Sequence, residues 1–405
     1  MEGATSRGIL MTSQFVGDRK GLPAWSFFNQ EMLEEEKEQL FRRHWQLVCH
    51  VNDLPEVGDY IACDFVGERA LVVRGSDGEV RAFHNLCRHR GSRVVADNKG
   101  HCRSAIICPF HGWAYNFDGS LRGAARPETL PDLDSEQWGL KPIEFDIWHG
   151  FVFVRFKPGP QPSVSQVMAR FEAEIAPYKL EDLQPDGNGI AITDIKANWK
   201  CVRDVDNEGY HVPLAHPGLQ DLFGPNYYDE DFKDGASRSY SQFRPGDGRL
   251  WSVRNYKKIL PKIQHLDEDR NRAWLYLGMF PNLVFGIYPD SVNIYHEFPV
   301  ENGKTIQRSA VYKRPVEDRQ LRLARYLSGR IDRTTGREDE QLIEWCWEAA
   351  FSSGFDGVIL SDLESGVRSY HDILRGFFPV LNETEPEKGA LADRNAVLLN
   401  SVATQ

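Results

Sequence analysis

Two short stretches, NLCRHRGS and IICPFHGW, constrain the fold of this chain more than any other feature. Each stretch pairs one cysteine with one histidine, Cys87 with His89 and Cys108 with His111, and eighteen residues separate the two pairs. Each pair follows a β-rich run and precedes a glycine, which lets the backbone turn closely around a bound group. Two thiolates and two imidazoles on two loops therefore predict a four-ligand metal site within a β-rich domain.

The ligand types alone leave two kinds of metal centre open. Zinc takes two cysteines and two histidines tetrahedrally, but the usual zinc spacing pairs Cys with Cys and His with His. A mixed pair in each loop instead suits a 2Fe-2S cluster in which one iron takes both thiolates and the other both imidazoles. The spacing therefore favours an iron-sulfur cluster. The nearby His84, His101 and Cys102 fall outside the pattern, and we predict that they are loop or core residues.

With the flanking text CPFHGWAYNFDGSL, these loops resemble the Rieske domain, whose C-x-H and C-x2-H signature they carry. The resemblance implies that Cys87, His89, Cys108 and His111 hold a Rieske 2Fe-2S cluster. Neutral imidazoles raise the reduction potential of such a cluster, so that it can accept electrons from a ferredoxin-like donor. A pure electron carrier is one possible function, but about 250 of the 405 residues follow residue 158, more than a carrier needs.

A second motif begins in the stretch ANWKCVRDVDNEGYH, which predicts a helix because Trp199, Val202 and Val205 recur at helical spacing. On such a helix Asp204 and Glu208 would lie on one face together with the histidine that ends the stretch. The helix would thus present two carboxylates and an imidazole to the same surroundings.

His211 and His216 stand five positions apart in DNEGYHVPLAHP, so a continuous helix would rotate the second histidine by about 140° from the first. Pro213 interrupts such a helix, because proline lacks the N–H and crowds the preceding turn. The two imidazoles can then meet. Two imidazoles and one carboxylate on one face of an iron leave the other face open for O2 and substrate. We therefore predict an iron site whose third ligand is an Asp or Glu further along the chain.

The combined motifs resemble the Rieske non-heme iron oxygenases of the α-subunit type, and the resemblance covers nearly the whole chain. It implies a Rieske cluster, a mononuclear Fe(II), and electrons from NAD(P)H that arrive through a separate flavin and iron-sulfur reductase. In that family the ligand aspartate stands in a pattern like D-x2-I-x6-G-x2-S, which FDGVILSDLESGVRS matches with Asp356, Gly366 and Ser369. The resemblance assigns the third ligand to Asp356, with Asp362 as the alternative on the same predicted helix.

Glu208 stands three residues before the first ligand histidine, where most of the family has aspartate. In the family that carboxylate commonly bridges a Rieske histidine of one subunit to an iron-ligand histidine of its neighbour, which implies a head-to-tail homotrimer. Glutamate at this position is similar to the branch that acts on quaternary amines, and Asp204 takes the place of an acidic residue that often precedes the bridge. The alternative role of Glu208 is to fix the tautomer of His211 from outside the ligand set.

Resemblance to that branch implies that the chain uses O2 to hydroxylate an N-methyl group, with release of formaldehyde and a demethylated amine. Proline betaine (stachydrine) is the leading substrate prediction. The aromatic residues in the region expected to line the pocket are Trp251, Tyr256, Trp274, Tyr276, Phe280, Phe285, Tyr288 and Tyr295. Ring faces hold a quaternary ammonium by cation–π attraction. They would also hold an aromatic hydrocarbon, so an aromatic-ring cis-dihydroxylating dioxygenase is the alternative.

Composition restricts the partners and the compartment. The net charge of -11 and the pI near 5.6 come without a basic block, which argues against a nucleic-acid partner. No segment approaches the length of a membrane span, and the first 25 residues lack an apolar signal region. We predict a cytoplasmic protein in which residues 1–20 are a loose leader. Seven scattered cysteines do not make a disulfide framework.

Turn signals and periodicity predict an α+β fold with three parts. Residues 1–44 form the N-terminal helical part of a catalytic domain, and residues 45–158 form an all-β Rieske domain inserted into it. Residues 159–405 form the mononuclear iron domain, in which, by resemblance, a long helix crosses an antiparallel sheet. The predicted helices are one capped by Asn29 and others near 316–328, 338–350 and 356–374.

Overall fold

The computed structural model describes residues 19–187, 189–316 and 318–403. The leader predicted for residues 1–20 lies outside the described residues except for its last two positions. The fold is α+β, as predicted, with a β-rich domain in the first half of the chain and a mixed domain built on an antiparallel sheet.

The chain enters through two short helices, α1 (Trp25–Phe28) and α2 (Gln30–Glu36). Asn29 caps α2 as predicted, because its side chain accepts a hydrogen bond from the backbone nitrogen of Met32 at 2.9 Å. Met32 and Leu33 are buried in a core that also contains Tyr370 and Phe378 from the far end of the chain. The N-terminal helices therefore pack against the C-terminal part of the molecule.

Ten strands follow in the first half of the chain. They are β1 (Gln46–His50), β2 (Asp59–Phe65), β3 (Glu68–Arg74), β4 (Val80–His84), β5 (Lys99–His101), β6 (Ile106–Ile107), β7 (Ala114–Tyr115), β8 (Leu121–Gly123), β9 (Glu144–Trp148) and β10 (Phe151–Arg155). They form antiparallel sheets in the orders β4-β3-β2-β5, β6-β7-β8 and β1-β10-β9. Gly78 and Gly119 lie in hairpin turns with φ of 84° and 87°, values that favour glycine.

The second half of the chain is built on an eight-stranded antiparallel sheet. Its strands are β11 (Gln184–Pro185), β12 (Ala191–Ile195), β13 (Tyr227–Asp229), β14 (Ala236–Gln242), β15 (Ala273–Met279), β16 (Leu283–Ile287), β17 (Val292–Glu301) and β18 (Lys304–Lys313). The order is β11-β18-β17-β16-β15-β14-β13, and β12 also pairs with β18. Turns at 289–290 and 302–303 join β16 to β17 and β17 to β18.

The helices around this sheet range from single turns to a long central helix. They are α3 (Val164–Val167), α4 (Glu172–Ile175), α5 (Trp199–Asp206), α6 (Val212–Ala215), α7 (Pro217–Phe223), α8 (Trp251–Ile259), α9 (Arg319–Ala349), α10 (Ser365–Phe377) and α11 (Leu391–Ala403). In the described part of the chain, none of them combines the length and the apolar composition that a bilayer crossing requires.

The helices predicted at 316–328 and 338–350 are one continuous helix, α9, of 31 residues. Gly329 and Gly336 lie between the two predicted segments, and glycine lowers helix stability by about 1 kcal/mol at each position. The buried positions Leu321, Ala324 and Ser328 nevertheless keep helical spacing into the glycine-containing segment. Burial of that stripe against the sheet outweighs the local preference, as is usual for helices in proteins.

Hydrogen bonds fix α9 across the sheet. The Tyr295 hydroxyl on β17 donates to Asp332 Oδ2 of α9 at 2.5 Å. One turn earlier the Ser328 hydroxyl donates to Asp290 Oδ2 at 2.5 Å, in the turn that joins β16 to β17. The prediction of a long helix that crosses an antiparallel sheet is confirmed.

The third predicted helix, 356–374, begins later than expected. Residues 356–361 are not helical, and α10 starts at Ser365 after a short turn that Ser361 caps. Leu360 N donates to Arg19 O at 2.8 Å, so this segment runs beside the chain entrance. The late start moves Asp356 off any helical face.

Candidate active site

The two Cys–His loops of the β-rich domain are near copies of each other. Gly91 N donates to Cys87 O at 2.9 Å, and Gly112 N donates to Cys108 O at 3.0 Å. Both glycines have positive φ, 73° and 70°, a conformation that other residues rarely adopt. Each loop is thus closed into one tight turn that carries a thiol at its start.

The loops separate their thiols from their imidazoles. Cys87 and Cys108 are buried, 4% and 2% exposed, whereas His89 and His111 are exposed, with ring centroids 4.7 Å apart. In the described part of the chain, these four donors do not gather within 4.8 Å as ligands of one ion. Buried thiols on one side and exposed imidazoles on the other fit a two-iron cluster with mixed ligands, and they do not fit a single zinc ion.

Neighbouring aromatic residues hold the loops in place. Tyr115 Oη lies 3.3 Å from Cys87 Sγ and accepts a hydrogen bond from Arg88 N at 3.0 Å. Burial raises the pKa of the Cys87 thiol, while the contact with Tyr115 acts in the opposite direction by stabilising the thiolate. Trp113 stacks on the His89 ring with centroids 5.2 Å apart. The loops are therefore preformed around the position of the cluster.

The second motif starts on α5, which is shorter than predicted. Its first turn is capped by Asn198, whose side chain accepts from Lys200 N at 2.9 Å, and it ends at Asp206. Glu208 therefore lies beyond the helix, and the predicted helical face shared with Asp204 does not form. The Asp204 carboxylate instead contacts Nε2 of the buried His371 at 2.8 Å.

His211 and His216 flank the single turn of α6. Pro213 lies in the first turn of α6, and Pro217 begins α7, positions at which the missing N–H of proline costs no helical hydrogen bond. The sequence predicts that Pro213 interrupts a helix, but in the structure Pro213 lies in the first turn of one. The predicted outcome nevertheless holds, since the two Nε2 atoms are 3.0 Å apart.

The third ligand position is occupied by Asp339, not by Asp356. Asp339 Oδ1 lies 2.9 Å from His216 Nε2 and 3.6 Å from His211 Nε2, and the three ligand atoms lie within 4.8 Å of one another. Asp356 is exposed in the non-helical segment before α10, and the alternative, Asp362, forms an ion pair with Arg19 at 2.7 Å. The assignment to Asp356 is therefore replaced.

The matched pattern around Asp356 marks a packing site. A Cβ at Gly366 would lie 2.2 Å from Asn207 O, so glycine lets α10 approach the backbone just before Glu208. Ser369 Oγ accepts from Phe232 N at 2.8 Å. The glycine and serine thus support the loop of the second motif without placing a carboxylate there.

A signal for Asp339 was present in the sequence once α9 is taken as continuous. Asp339 lies four residues before the buried Ile343 and seven after Asp332, on the stripe that begins at Leu321. A carboxylate on the buried stripe of a helix needs a partner, because isolated buried charges are costly. The predicted helix 338–350 contains this position, but the resemblance assigned the third ligand from the pattern around Asp356 instead.

Two further carboxylates hold the outer nitrogens of the histidines. Glu208 Oε1 makes a short hydrogen bond with His211 Nδ1, and Glu208 Oε2 accepts from His211 N at 3.1 Å. Glu338 Oε2 lies 2.9 Å from His216 Nδ1. With each Nδ1–H directed to a carboxylate, each ring turns an unprotonated Nε2 toward Asp339. Asp339 Oδ1 is itself buried without a hydrogen-bond donor.

Three acceptor atoms that converge without a donor fit a cation. Burial disfavours a charged His211, but Asp339 and Glu208 outweigh it and raise the pKa of this histidine to about 10. A positive charge between His211 Nε2 and Asp339 is therefore favoured, and a proton takes that position when no metal ion is bound. The field of the site thus favours positive charge, and two imidazoles with one carboxylate match a mononuclear non-heme iron.

The predicted aromatic pocket is only partly correct. Phe280 and Phe285 are buried in separate cores, where Phe280 stacks on Phe377 and Phe285 meets Phe151 edge to face. Trp251 is 57% exposed. The remaining residues cluster near α9. They are Tyr256, Trp274, Tyr276, Tyr288 and Tyr295.

Comparison with known families agrees with this geometry. Residues 170–378, more than half of the chain, match the family described as ring hydroxylating alpha subunit (catalytic domain). The chain belongs to the ring-hydroxylating alpha subunit family. Residues 44–134 of this α subunit match the Rieske 2Fe-2S domain. The α subunit is therefore an oxidoreductase of the Rieske non-heme iron type, and the alternative of a pure electron carrier does not account for its catalytic domain.

Individual relatives span most of the α subunit. It is 28% identical over 372 residues to the carnitine monooxygenase oxygenase subunit of Escherichia coli (strain K12), covering 88% of this chain and 93% of that one. It is 33% identical over 201 residues to the glycine betaine monooxygenase oxygenase subunit of Pseudomonas aeruginosa (strain UCBPP-PA14), covering 49% and 45%.

Solved structures share the fold of the α subunit. A quaternary ammonium Rieske monooxygenase superposes with a TM-score of 0.74 at 24% identity, covering 88% of this chain and 94% of that one. Naphthalene 1,2-dioxygenase superposes with a TM-score of 0.71 at 18% identity, covering 96% and 99%. The cofactors of the α subunit are a Rieske cluster and a mononuclear iron.

Proposed function

We propose that the α subunit hydroxylates an N-methyl group of a quaternary ammonium compound, with proline betaine (stachydrine) as the leading substrate. The observation that carries the proposal is the occurrence, in one chain, of the paired Cys–His loops and the convergent group His211, His216 and Asp339. Similarity to carnitine and glycine betaine monooxygenase oxygenase subunits supports the choice of substrate class.

We assign the cluster to Cys87, His89, Cys108 and His111. The mononuclear iron would be held by the three residues of the convergent group. When bound, the cluster supplies single electrons and the mononuclear iron activates O2. The exposed imidazole side of the paired loops supports electron entry and exit at that edge.

The protein side chains orient the ligands and hold their protons. Glu208 and Glu338 keep a proton on the Nδ1 atom of each ligand histidine, so that both Nε2 atoms stay neutral and face inward. Asp339 contributes the one negative charge among the three ligands. One face of the metal then remains for O2 and for the substrate methyl group.

The overall reaction balances with one O2, two electrons and two protons. One oxygen atom enters the N-methyl C–H bond to give N–CH2–OH, and the other leaves as water. The C–N bond of this hemiaminal then breaks, with loss of the hydroxyl proton. Formaldehyde and a tertiary amine are released.

Electrons from NAD(P)H would arrive through a flavin and iron-sulfur reductase. We propose that Glu208 connects the two metal centres between subunits of a homotrimer, with the exposed His89 or His111 of a neighbour as the donor side. Coexpression of Cys87→Ser with His211→Ala subunits tests this arrangement. Each variant alone should be inactive, and mixed trimers should regain activity. Absence of recovery in mixed trimers of verified composition would contradict transfer between subunits.

A single-turnover assay tests the reaction itself. The iron-loaded protein is reduced and exposed to O2 with a panel of betaines and simple aromatics, and formaldehyde is quantified. Formaldehyde that matches the loss of one N-methyl group supports the proposal. A cis-diol from an aromatic compound, with every betaine silent, would favour ring dihydroxylation instead. Asp339→Asn is the matched control, because it should keep the cluster but form no product.

A further inference from the structure

A carboxylate on α9 lies in a tyrosine cluster near the iron ligands. Asp332 stands seven residues before Asp339, two helical turns, so the two face the same side of α9 about 10 Å apart. Tyr295 Oη donates to Asp332 Oδ2 at 2.5 Å, and Tyr288 Oη donates to Asp332 Oδ1 at 2.8 Å. Tyr276 Oη lies 3.1 Å from Tyr288 Oη. Hydrogen bonds thus fix the direction of this carboxylate.

Asp332 carries a charge that the protein does not pair. Among residues 19–187, 189–316 and 318–403, no lysine or arginine forms an ion pair with it. Burial raises the pKa of Asp332 to about 6, while Tyr295 and Tyr288 act to lower it, so the carboxylate is mainly ionised above that pH. An unpaired interior anion attracts a cation strongly, because the surrounding medium screens it less than water does.

The carboxylate also keeps accessible surface, although it lies deep in the domain. Asp332, Tyr276 and Tyr295 are half-buried, so each of them keeps some accessible surface. Tyr288, by contrast, is fully buried and stacks on Trp274 with ring centroids 3.9 Å apart. Tyr288 therefore holds the carboxylate from the packed core, while the other two tyrosines, like Asp332, keep accessible surface.

Asp290 offers a built-in comparison. It too accepts two hydrogen bonds, from Tyr256 Oη at 2.5 Å and from Ser328 Oγ at 2.5 Å, and it too joins α9 to the sheet. Asp290 is 0% exposed. Asp290, whose carboxylate only links α9 to the sheet, is thus fully buried. Asp332 makes the same kind of link but keeps accessible surface, which indicates a further role.

We infer that Asp332, with the rings of Tyr276 and Tyr295, is a cation subsite that binds the quaternary ammonium group and selects it over a neutral ring. This inference rests on the proposed function, which it deepens. A cation binds aromatic faces when it lies within about 6 Å of the ring centroid. Asp339 lies about 10 Å along the same face of α9, so a cation bound at Asp332 would lie on the side of the helix that carries the iron ligand.

The test measures cation binding without turnover. Iron-loaded holoenzyme is titrated calorimetrically with tetramethylammonium chloride, and sodium chloride at equal concentration is the blank. Asp332→Asn should weaken binding by about tenfold or more. Asp290→Asn should stay within about threefold of the unmodified protein, because the Asp290 carboxylate has no accessible surface. Equal binding by the two variants, or no binding by the unmodified protein, would overturn the inference.

A second pair of variants decides the matter if Asp332→Asn does not fold. Tyr295→Phe removes a hydrogen bond to Asp332 but keeps the ring, whereas Tyr295→Leu removes the ring as well. Only the leucine variant should lose about tenfold in tetramethylammonium affinity. Equal affinities for the two variants would contradict a role of the ring.

Formaldehyde release from the same variants separates this inference from the proposed function. Asp332-dependent cation binding without formaldehyde from any betaine would support the subsite and overturn the demethylase proposal. Formaldehyde formed with an unchanged KM by Asp332→Asn would support the demethylase and overturn the subsite.

Discussion

Adjacent residues of α9 contact the two nitrogens of one histidine. Glu338 lies 2.9 Å from His216 Nδ1, and Asp339 lies 2.9 Å from His216 Nε2. The first contact fixes the tautomer, and the second completes a metal-binding group. Because one helical turn supplies both contacts, His216 cannot change its orientation without losing both partners.

Replacement of Asp339 should remove the mononuclear iron alone. Asp339→Asn loses the anionic ligand, whereas the paired Cys–His loops belong to the β-rich domain and do not contain Asp339. We expect the variant to retain the Rieske optical and EPR signals but to lose the mononuclear iron by metal analysis. The control is Asp356→Asn, which should keep all its iron because Asp356 is exposed. Iron loss in the control instead would restore the assignment to Asp356.

Glu338 should tune the iron affinity from outside the ligand set. Glu338→Gln leaves the three ligands in place but no longer offers His216 Nδ1 a charged acceptor, so we expect iron affinity to fall by about 10- to 100-fold. Competition with a chelator measures the change. Glu340→Gln, two residues further along α9, is the matched control and should bind iron normally. Equal affinities in both variants would contradict the role of Glu338.

For single residues, the sequence predicts the metal-binding group correctly where its members are close together in the chain. His211 and His216 lie five residues apart, and any turn that joins them leaves few ways to separate their rings. Asp339 comes more than a hundred residues later, so its position depends on the register of α9 against the sheet. A local pattern around Asp356 could not report that register.

Among the elements, α9 shows how tertiary contacts override local preference. Two glycines lie within the helix, yet it continues because its buried stripe faces the sheet. The sequence was sufficient for the strands and hairpins, whose alternation and turn residues are local signals. It was insufficient for the extent of α5, α9 and α10, since each ends or continues according to its packing partners.

The packing of α10 depends on Gly366. A Cβ there would meet Asn207 O at 2.2 Å, and this backbone cannot move without shifting Glu208. We expect Gly366→Ala to lower the free energy of unfolding by about 1–3 kcal/mol, as overpacking typically does. Denaturant titration measures the change, and iron content should fall with it.

Gly336→Ala is the matched control on α9. A Cβ at Gly336 would meet nothing within 4 Å, so the substitution should stabilise the helix by about 0.5–1 kcal/mol. If Gly366→Ala stabilised the protein as Gly336→Ala does, the backbone around Asn207 would accommodate the added Cβ, and the predicted overpacking would be contradicted.

Across the whole molecule, buried ion pairs join the sheet to the metal-binding loop. Arg203 of α5 is buried and contacts Glu297 of β17 at 3.3 Å and Asp206 at 3.0 Å. It also donates to Asn207 at 2.8 Å, one residue before Glu208. The charge state of this group therefore affects how the strands support the active site.

This group should make stability depend on pH. Burial raises the pKa of Glu297 above its ordinary value of 4.5, although Arg203 acts to lower it. The folded state then binds more protons than the unfolded state, so the contribution of Glu297 is present at low pH and is lost as the pH rises through the raised pKa. We expect the free energy of unfolding of the unmodified protein to contain a component that falls between about pH 4.5 and about pH 7, from the ordinary pKa of Glu297 to its raised value.

Denaturant titrations across this range measure that component. Glu297→Gln cannot titrate, so its stability should vary less with pH than that of the unmodified protein. A parallel pH dependence in the two proteins would contradict the assignment to Glu297.

The continuity of α9 also limits how such a chain can diverge. Asp332 and Asp339 share a face only because seven residues make about two turns, and one inserted or deleted residue between them would rotate one against the other by about 100°. Relatives that keep both carboxylates in these roles should vary this interval by substitution alone, whereas loops at either end of α9 can change in length. The helix thus fixes the distance between the proposed cation subsite at Asp332 and the metal ligand Asp339. Changes in substrate specificity must then arise without a change in the length of α9.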